Sequence, residues 1–254
     1  MKTRWKIILI LSLLGNLSIL YVGYKALEYR RHINEFLVKY TNVVAEFSER
    51  AHYEADNLKQ ASSETVDNRV VLFGTQVTSR WRLDEYTDRF EVLNRGVPGQ
   101  RVAGYLLRFR PDVIDLAPFA AIIEISSYNF RPQHSIVEIT DYVMSMAELA
   151  RLHGIEPILT TVIPLRPGTD NYGAYSVMDS LAVYNDWIVD YASVNGYPLI
   201  DLNGLVVNDE GWLRYDLSYD DIDLNERGYV LISHATLQVL DSLSPEAHHS
   251  VAKP

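Results

Sequence analysis

Short apolar runs alternate with segments of helical periodicity over residues 66–243, and this alternation is the strongest constraint on the fold. It predicts strands at 70–74, 91–95, 120–126, 156–162 and 198–202, and helices at 101–109, 135–152, 177–194 and 226–241. Strands that are each followed by a helix form a mainly parallel sheet with helices on both faces. We therefore predict an α/β fold, a three-layer sandwich around one sheet.

One carboxylate interrupts the most apolar of these runs, residues 120–125. A buried Glu124 must be paired or protonated, because an isolated charge is expensive to remove from water. We expect Arg95 or Arg80 to be its partner. Both an ion pair that braces the strand ends and a contact to a ligand are open interpretations.

The N-terminus is basic and then uncharged. Lys2, Arg4 and Lys6 precede an uncharged run of 18 residues that begins at Ile7 and ends at Tyr24. As a helix this run spans roughly 27 Å, close to the ~30 Å hydrocarbon core of a bilayer. It is longer than the apolar part of a cleaved signal peptide and lacks a clear cleavage site. We predict a retained single-pass anchor over 1–25, with the globular domain outside the cytoplasm, in a periplasmic or extracellular location.

The next segment, 26–65, is predicted to be a helical stalk, with one long helix over 26–60. Its apolar residues alternate at spacings of four and three, at Ile33, Leu37, Tyr40, Val44, Phe47, Ala51 and Leu58, with a break at Glu54. A coiled coil that pairs with itself or with a protein partner fits this pattern. An amphipathic helix that lies on its own globular domain fits it equally. The globular domain is predicted over 66–243 and a disordered tail over 244–254.

Composition excludes several classes of function. The formal net charge of −10 argues against nucleic-acid binding. The absence of cysteine excludes disulfides, thiolate metal sites and a lipidated cysteine anchor.

Four motifs follow one another within residues 69–241. They are a strand that ends in Gly74-Thr75-Gln76, a turn at residues 94–99, a strand with polar residues after it at 122–129, and an acidic segment at 220–229. In this order they resemble the motifs of the SGNH (GDSL-type) hydrolases, which are Gly-Asp-Ser, N-x-G-x-x-G, a strand and then Gly-x-Asn-Asp, and D-G-x-H-x-N-x-x-G-Y. The resemblance implies a flavodoxin-like sheet and a site at the carboxyl ends of its strands.

The resemblance implies no intact catalytic set. Gln76 takes the position of the nucleophilic serine, and an amide cannot attack a carbonyl as a hydroxyl does. Asp223 takes the position of the histidine, and the third-motif asparagine aligns to Tyr128, with Asn129 beside it. Gly99, an oxyanion-hole position, and Asp220 keep the family residue type. The chain is thus predicted to be a degenerate member that lacks nucleophile and base.

Other residues near the expected site were weighed for catalysis or binding. Ser126 and Ser127 end a central strand and are the substitute nucleophiles of a displaced catalytic set, although no histidine is evident beside them. The histidines considered are His134, His153 and His234, and the aromatic residues expected at the mouth are Trp81, Tyr128, Phe130 and Tyr172. The acidic run at 220–223 departs from a calcium loop, because Glu226 stands where glycine is needed. We expect no metal and no cofactor.

The function predicted from these observations is a catalytically inactive, membrane-anchored, SGNH-hydrolase-like protein. It would be a binding or scaffolding subunit of a cell-envelope assembly concerned with polysaccharide or acyl groups. The ligand-binding candidates for a small acyl or glycan ligand are Gln76, Gly99, Ser126, Ser127, Asn129 and Asp220. The alternative is an esterase or acyltransferase with a displaced catalytic set, and a tether that works through the coiled coil is a third hypothesis.

Overall fold

The computed structural model describes residues 2–62, 66–132, 135–169 and 176–244. All but the first residue of the predicted tail lies outside these residues, as do His134 and Tyr172. The side chains of Tyr40, Val44 and Phe47, three positions of the predicted heptad pattern, are also outside the description.

The N-terminal helix α1 runs Lys2–Ser48. Its part Thr3–Leu37 is long and apolar enough to cross a bilayer, with a mean hydropathy of 2.0 in its most apolar window. None of that window is buried against protein. The chain divides into two compact units between Phe47 and Ser48, so that the end of α1 belongs to the second unit.

The prediction of one continuous helix over 26–60 is wrong. α1 ends at Ser48, Glu49 has a positive φ of 48°, and a separate helix α2 runs Glu54–Ala61. The break follows from tertiary contacts that periodicity does not encode: the Tyr53 hydroxyl donates to the carbonyl of Gly96, and Asn57 is buried. Pairing of this region with a second chain stays a prediction.

The second unit contains five parallel strands in the order β2-β1-β3-β4-β5. They are β1 (Arg69–Gly74), β2 (Glu91–Gly96), β3 (Ala120–Ile123), β4 (Glu156–Thr160) and β5 (Leu199–Ile200). This is the doubly wound, flavodoxin-like order, and it confirms the predicted fold. The third, fourth and fifth strands are shorter than predicted, because the apolar runs continue into loops beyond the last residues that pair with a neighbouring strand.

In the described part of the chain, six helices follow the strands: α3 (Gln76–Arg80), α4 (Val102–Asp112), α5 (Ile136–Leu152), α6 (Val177–Asn195), α7 (Leu202–Val206) and α8 (Glu226–Leu243). The five-residue helices α3 and α7 were not predicted. They are too short to show a helical period, which needs about 11 residues or more. Short 3₁₀ turns at Leu83–Tyr86, Ile114–Leu116, Ser127–Asn129 and Tyr215–Leu217 complete the described elements.

Successive residues of the central strands point to opposite faces of the sheet, which creates two cores. Val71 and Phe73 of β1 pack in a cluster with α4, α5 and α6. Val70 and Leu72 pack in the other cluster, with Trp81 and the apolar side of α8. The sheet is therefore the middle layer of three, as predicted, and its strand ends are left to form a site.

Candidate functional site

The carboxyl ends of β1, β2 and β3 meet at one edge of the sheet. β1 lies between β2 and β3: the chain passes from β1 to β2 on one side and then crosses to β3 on the other side. At such a switch point a crevice opens outside the carboxyl ends of the strands. Gln76 begins α3 directly after β1, Gly99 lies in the loop after β2, and Ser126 lies after β3. The structure thus brings the first three predicted motifs to one edge.

Beneath this edge, Glu124 holds the turn between β1 and α3. One carboxylate oxygen, Oε2, accepts from the Thr75 N–H at 2.9 Å, the Thr75 hydroxyl at 3.3 Å and the Thr78 hydroxyl at 2.9 Å. A Cβ on Gly74 would overlap both the Thr78 hydroxyl and this carboxylate, so the close approach requires glycine. Burial raises the pKa of Glu124 above its ordinary value, and the threonine donors oppose that rise.

The expected partners of Glu124 were wrong. Arg95 instead bonds Asn57 and pairs with Asp56, and Arg80 pairs with Asp223. A carboxylate can be satisfied by hydroxyl and backbone donors without a cation, and Thr75 before α3 and Thr78 on α3 supply those donors to Glu124. It therefore braces the strand ends, although not through the predicted ion pair.

Gln76 and Asp223, the two substituted family positions, are in direct contact. Gln76 Nε2 donates to Asp223 Oδ2 at 2.8 Å, across 147 residues of sequence. Arg80, one helical turn after Gln76 on α3, donates through Nη1 to the same oxygen. Asp223 is 2% exposed, so both donors compensate a carboxylate that is removed from water. An amide, a carboxylate and a guanidinium thus meet at the positions that the resemblance assigns to the nucleophile and the base.

Asp220 shapes the loop that presents Asp223. Its Oδ1 accepts from the backbone N–H of Ile222 at 3.0 Å and of Asp223 at 2.8 Å. Desolvation acts to raise the pKa of Asp220, but these two N–H donors, with Arg80 and Arg166 nearby, lower it below its ordinary value. The carboxylate is therefore ionised at neutral pH and stabilises the loop through its bonds to the two backbone N–H groups.

The two oxyanion-hole candidates differ in orientation. Gly99 is exposed, with a φ of +74° and open space where a Cβ would lie, so its backbone can face a ligand. Asn129 is buried, and its Oδ1 accepts from the N–H of Val102 at the start of α4 at 2.8 Å. Its Nδ2 is directed to the carbonyl of Ser126 at 3.5 Å. The Asn129 amide is thus engaged by the first N–H of α4 and by its own loop.

A cleft of about 360 Å³ opens beside this edge, within the range of small-ligand sites. Three predicted residues line it, namely Ser127, Tyr128 and Asp220, together with apolar side chains that include Leu165 and Val177. Ser126 does not line it, and its hydroxyl accepts from the Tyr128 N–H at 3.2 Å. Gln76 and Asp223 are not among the lining residues either.

Several predicted side chains lie elsewhere. Trp81 and Phe130 are buried in the two cores and do not reach a mouth, so that expectation was wrong for both. His153 caps the end of α5, and the ring of His234 lies 6.5 Å from that of Tyr86. Among the described residues, no group of three histidines, cysteines or carboxylates is arranged to hold a metal ion.

Sequence reasoning missed Arg80 as the partner of Asp223. The spacing of Gln76 and Arg80 could have indicated it, because residues four apart lie on one face of a helix. That spacing is informative only once residues 76–80 are known to be helical, and α3 was not predicted. Thr75 and Thr78 were missed as partners of Glu124 for the same reason.

The comparisons with known proteins agree with the fold. The model of the GDSL-like Lipase/Acylhydrolase family matches residues 65–231. A GDSL-like lipase from Bacteroides thetaiotaomicron VPI-5482 superposes with a TM-score of 0.71 at 25% identity, over 77% of this chain and 98% of that chain. A protein from Bacteroides fragilis NCTC 9343, assigned as an acylhydrolase, superposes with a TM-score of 0.70 at 23% identity, over 77% and 97%.

A curated relative is similar over a shorter stretch. The uncharacterized lipoprotein YqeF of Bacillus subtilis (strain 168) is 28% identical over 131 residues, which is 44% of this chain. The match spans about half the length of that relative, 54%.

Proposed function

The chain belongs to the GDSL-like lipase/acylhydrolase family, and from this premise we propose that it is a membrane-anchored member that does not hydrolyse esters. It binds an acyl-bearing or glycan ligand as a binding or scaffolding subunit of a cell-envelope assembly. The observation that carries the proposal is the 2.8 Å hydrogen bond between Gln76 and Asp223, at the two positions where the family places its nucleophile and base.

The chemistry of this pair supports the loss of hydrolysis. Acyl transfer needs a nucleophile, a base within hydrogen-bond reach and a group that orients the base. Gln76 has no transferable hydroxyl proton, and the Asp223 carboxylate is engaged by Gln76 and Arg80. In such a triad, loss of the nucleophile or base alone costs several orders of magnitude in rate.

The displaced catalytic set gains no support from the described residues. The Ser126 hydroxyl accepts from a backbone N–H, and Ser127 lines the cleft with no described imidazole among the lining residues. Without a base, a serine hydroxyl is a weak nucleophile. The cleft does retain binding features, since Tyr128 offers an aromatic surface and Ser127 and Asp220 offer polar groups among its lining residues.

The membrane part of the proposal has separate support. Thr3–Leu37 is able to span a bilayer, and a curated relative is a lipoprotein, which is a membrane-attached protein of a different anchoring type. Basic residues precede the apolar run, which favours a cytoplasmic N-terminus and an extracytoplasmic domain.

Hydrolysis is tested with the full-length protein in detergent micelles. We expect no turnover of p-nitrophenyl acetate above the buffer rate and no labelling by a fluorophosphonate probe. The matched variants are Ser126→Ala and Ser127→Ala. Labelling of the wild-type protein that disappears in either variant would show a working displaced nucleophile and overturn the proposal.

Binding is tested by calorimetry with an O-acetylated oligosaccharide and its de-acetylated form. We expect Ser127→Ala and Asp220→Asn, both at the cleft, to weaken binding, whereas Glu210→Gln, on an exposed turn that does not line the cleft, leaves it unchanged. Equal binding by all variants would remove the cleft as the ligand site.

Sidedness is tested by single introduced cysteines, since the chain has none of its own. We expect a membrane-impermeant maleimide to label Asp209→Cys in intact cells and to leave Thr3→Cys unlabelled. The reverse pattern would place the domain in the cytoplasm.

A further inference from the structure

The segment at residues 48–61, which follows the long run of α1 and includes α2, is fastened to the carboxyl end of β2. We call this segment the strap. The Tyr53 hydroxyl donates to the carbonyl of Gly96 at 2.7 Å, and its ring lies 4.8 Å from the Arg95 guanidinium. The Asp56 carboxylate pairs with Arg95 at 2.6 Å. Arg95 and Gly96 are the last residues of β2, directly before the loop that carries Gly99.

The strap also joins a buried ion pair. Asn57 Nδ2 donates to Asp112 Oδ1 at 2.5 Å, and Asn57 Oδ1 accepts from Arg95 Nε at 2.9 Å. The other oxygen of Asp112 pairs with Arg108 at 2.7 Å, and both side chains of this pair are at most 1% exposed. If the strap moved away, Asp112 Oδ1 and Arg95 Nε would lose their Asn57 partner in the interior, at a cost in free energy.

Arg108 extends the connection to the turn before Gln76. Its Nη2 donates to the carbonyl of Gly74 at 3.0 Å, and its Nε donates to Gln100 Oε1 at 2.5 Å. Gln100 Nε2 in turn donates to the carbonyl of Ser48 at 2.9 Å. A buried chain of hydrogen bonds therefore runs from the start of the strap to Gly74 and passes the residue that follows Gly99.

We propose that the strap is a positioning element of the site. It fixes both the turn that leads from Gly74 to Gln76 and the loop that carries Gly99, so release of the strap loosens both. The proposal goes beyond the proposed function, because it concerns the geometry of the site whether or not the site hydrolyses esters.

The test is hydrogen–deuterium exchange of the full-length protein in detergent micelles. The double variant Tyr53→Phe/Asn57→Ala removes the hydroxyl bond to Gly96 and the amide bonds to Asp112 and Arg95. The reporters are four N–H groups: Ser79 and Trp81 donate to Thr75 and Thr78 at α3, Val97 donates to Gly74, and Gln100 donates to Val97 in the Gly99 loop. We expect their exchange to accelerate about tenfold or more, with β4 and α8 unchanged, as for a local opening. Lys59→Ala, exposed on the same helix, is the matched control and should leave the reporters unchanged.

Faster exchange in the strap with unchanged reporters would overturn the proposal. Unchanged exchange in both would overturn it as well, because the named bonds would then not hold the strap. If the double variant loses protection throughout, Tyr53→Phe alone decides: it removes one bond, and unchanged exchange at Val97 and Gln100 refutes the proposal. None of these readouts needs a ligand or a hydrolysis assay, so the two proposals can fail separately.

Discussion

The buried pair of Arg108 and Asp112 gives the sharpest prediction for stability. The substitution Asp112→Ala removes a carboxylate that pairs with Arg108 at 2.7 Å and accepts from Asn57 at 2.5 Å. Alanine is a good helix former, so α4 itself is not weakened by the change. What changes is that a guanidinium with no exposed surface loses its counter-charge.

The size of the effect follows from what remains around Arg108. Burial lowers the pKa of Arg108, and the Asp112 carboxylate opposes that shift by favouring the charged form. Breaking a buried ion pair by removing one partner costs about 3–5 kcal/mol. Arg108 keeps three acceptors, the carbonyls of Gly74 and Arg95 and the Gln100 amide. The expected loss in free energy of unfolding is therefore near the lower end of that range, about 3 kcal/mol. The total for a typical domain is about 5–15 kcal/mol.

The assay is urea denaturation of the full-length protein in detergent micelles, followed by tryptophan fluorescence, with buried Trp81 as a core reporter. The matched control is Asp115→Ala. Asp115 pairs with Arg110 at 3.7 Å, and both side chains are more than half exposed. A surface pair of this kind contributes less than about 1 kcal/mol, so the control should unfold nearly as the wild-type protein does.

The result that refutes the reasoning is a loss for Asp112→Ala no larger than that for Asp115→Ala, at equal slopes in urea. It would mean that water or a rearranged acceptor replaces the carboxylate, and that the pair does not hold the strap and the strand ends together.

Three further predictions follow from the same region. Because the folded-state pKa of Glu124 is raised, its contribution to stability is present below the unfolded pKa and is lost as pH rises through the folded value. Urea denaturation from pH 4 to 8 should therefore show that the stability of Glu124→Gln rises relative to that of the wild-type protein as pH increases. A stability difference that does not change with pH contradicts this. Gly74→Ala should lower the free energy of unfolding by at least about 2 kcal/mol, because the new Cβ overlaps the Glu124 carboxylate. Gly211→Ala should lower it by about 1 kcal/mol in the same urea assay, because there only the positive φ disfavours alanine. Deletion of 1–47 should leave cooperative unfolding intact, whereas deletion of 1–61 should lower stability by about 3 kcal/mol, because it also removes the strap; equal stability of the two truncated chains argues against a structural role for the strap.

The alternation of apolar strands and periodic helices was sufficient to predict the parallel sandwich, because the apolar pattern of each such element is contained in its own short stretch of sequence. Chain order and the four motifs predicted which strand ends carry the site. The elements that escaped prediction, α3 and α7, are too short to display a period. The break at Glu49 escaped because contacts of Tyr53 and Asn57, made far along the chain, outweigh local helical preference.

By itself, the sequence determined the fold class, the family and the apolar segment that can span a membrane, and it predicted Gln76 and Asp223 at the nucleophile and base positions. Only the tertiary structure decided that these two side chains bond each other, that Arg80 joins them, and that hydroxyl groups rather than an arginine satisfy Glu124. The physical reason is one of range. Hydrophobic periodicity is written in neighbouring residues, whereas the partner of a buried polar group is whichever donor the packed chain brings within about 3 Å.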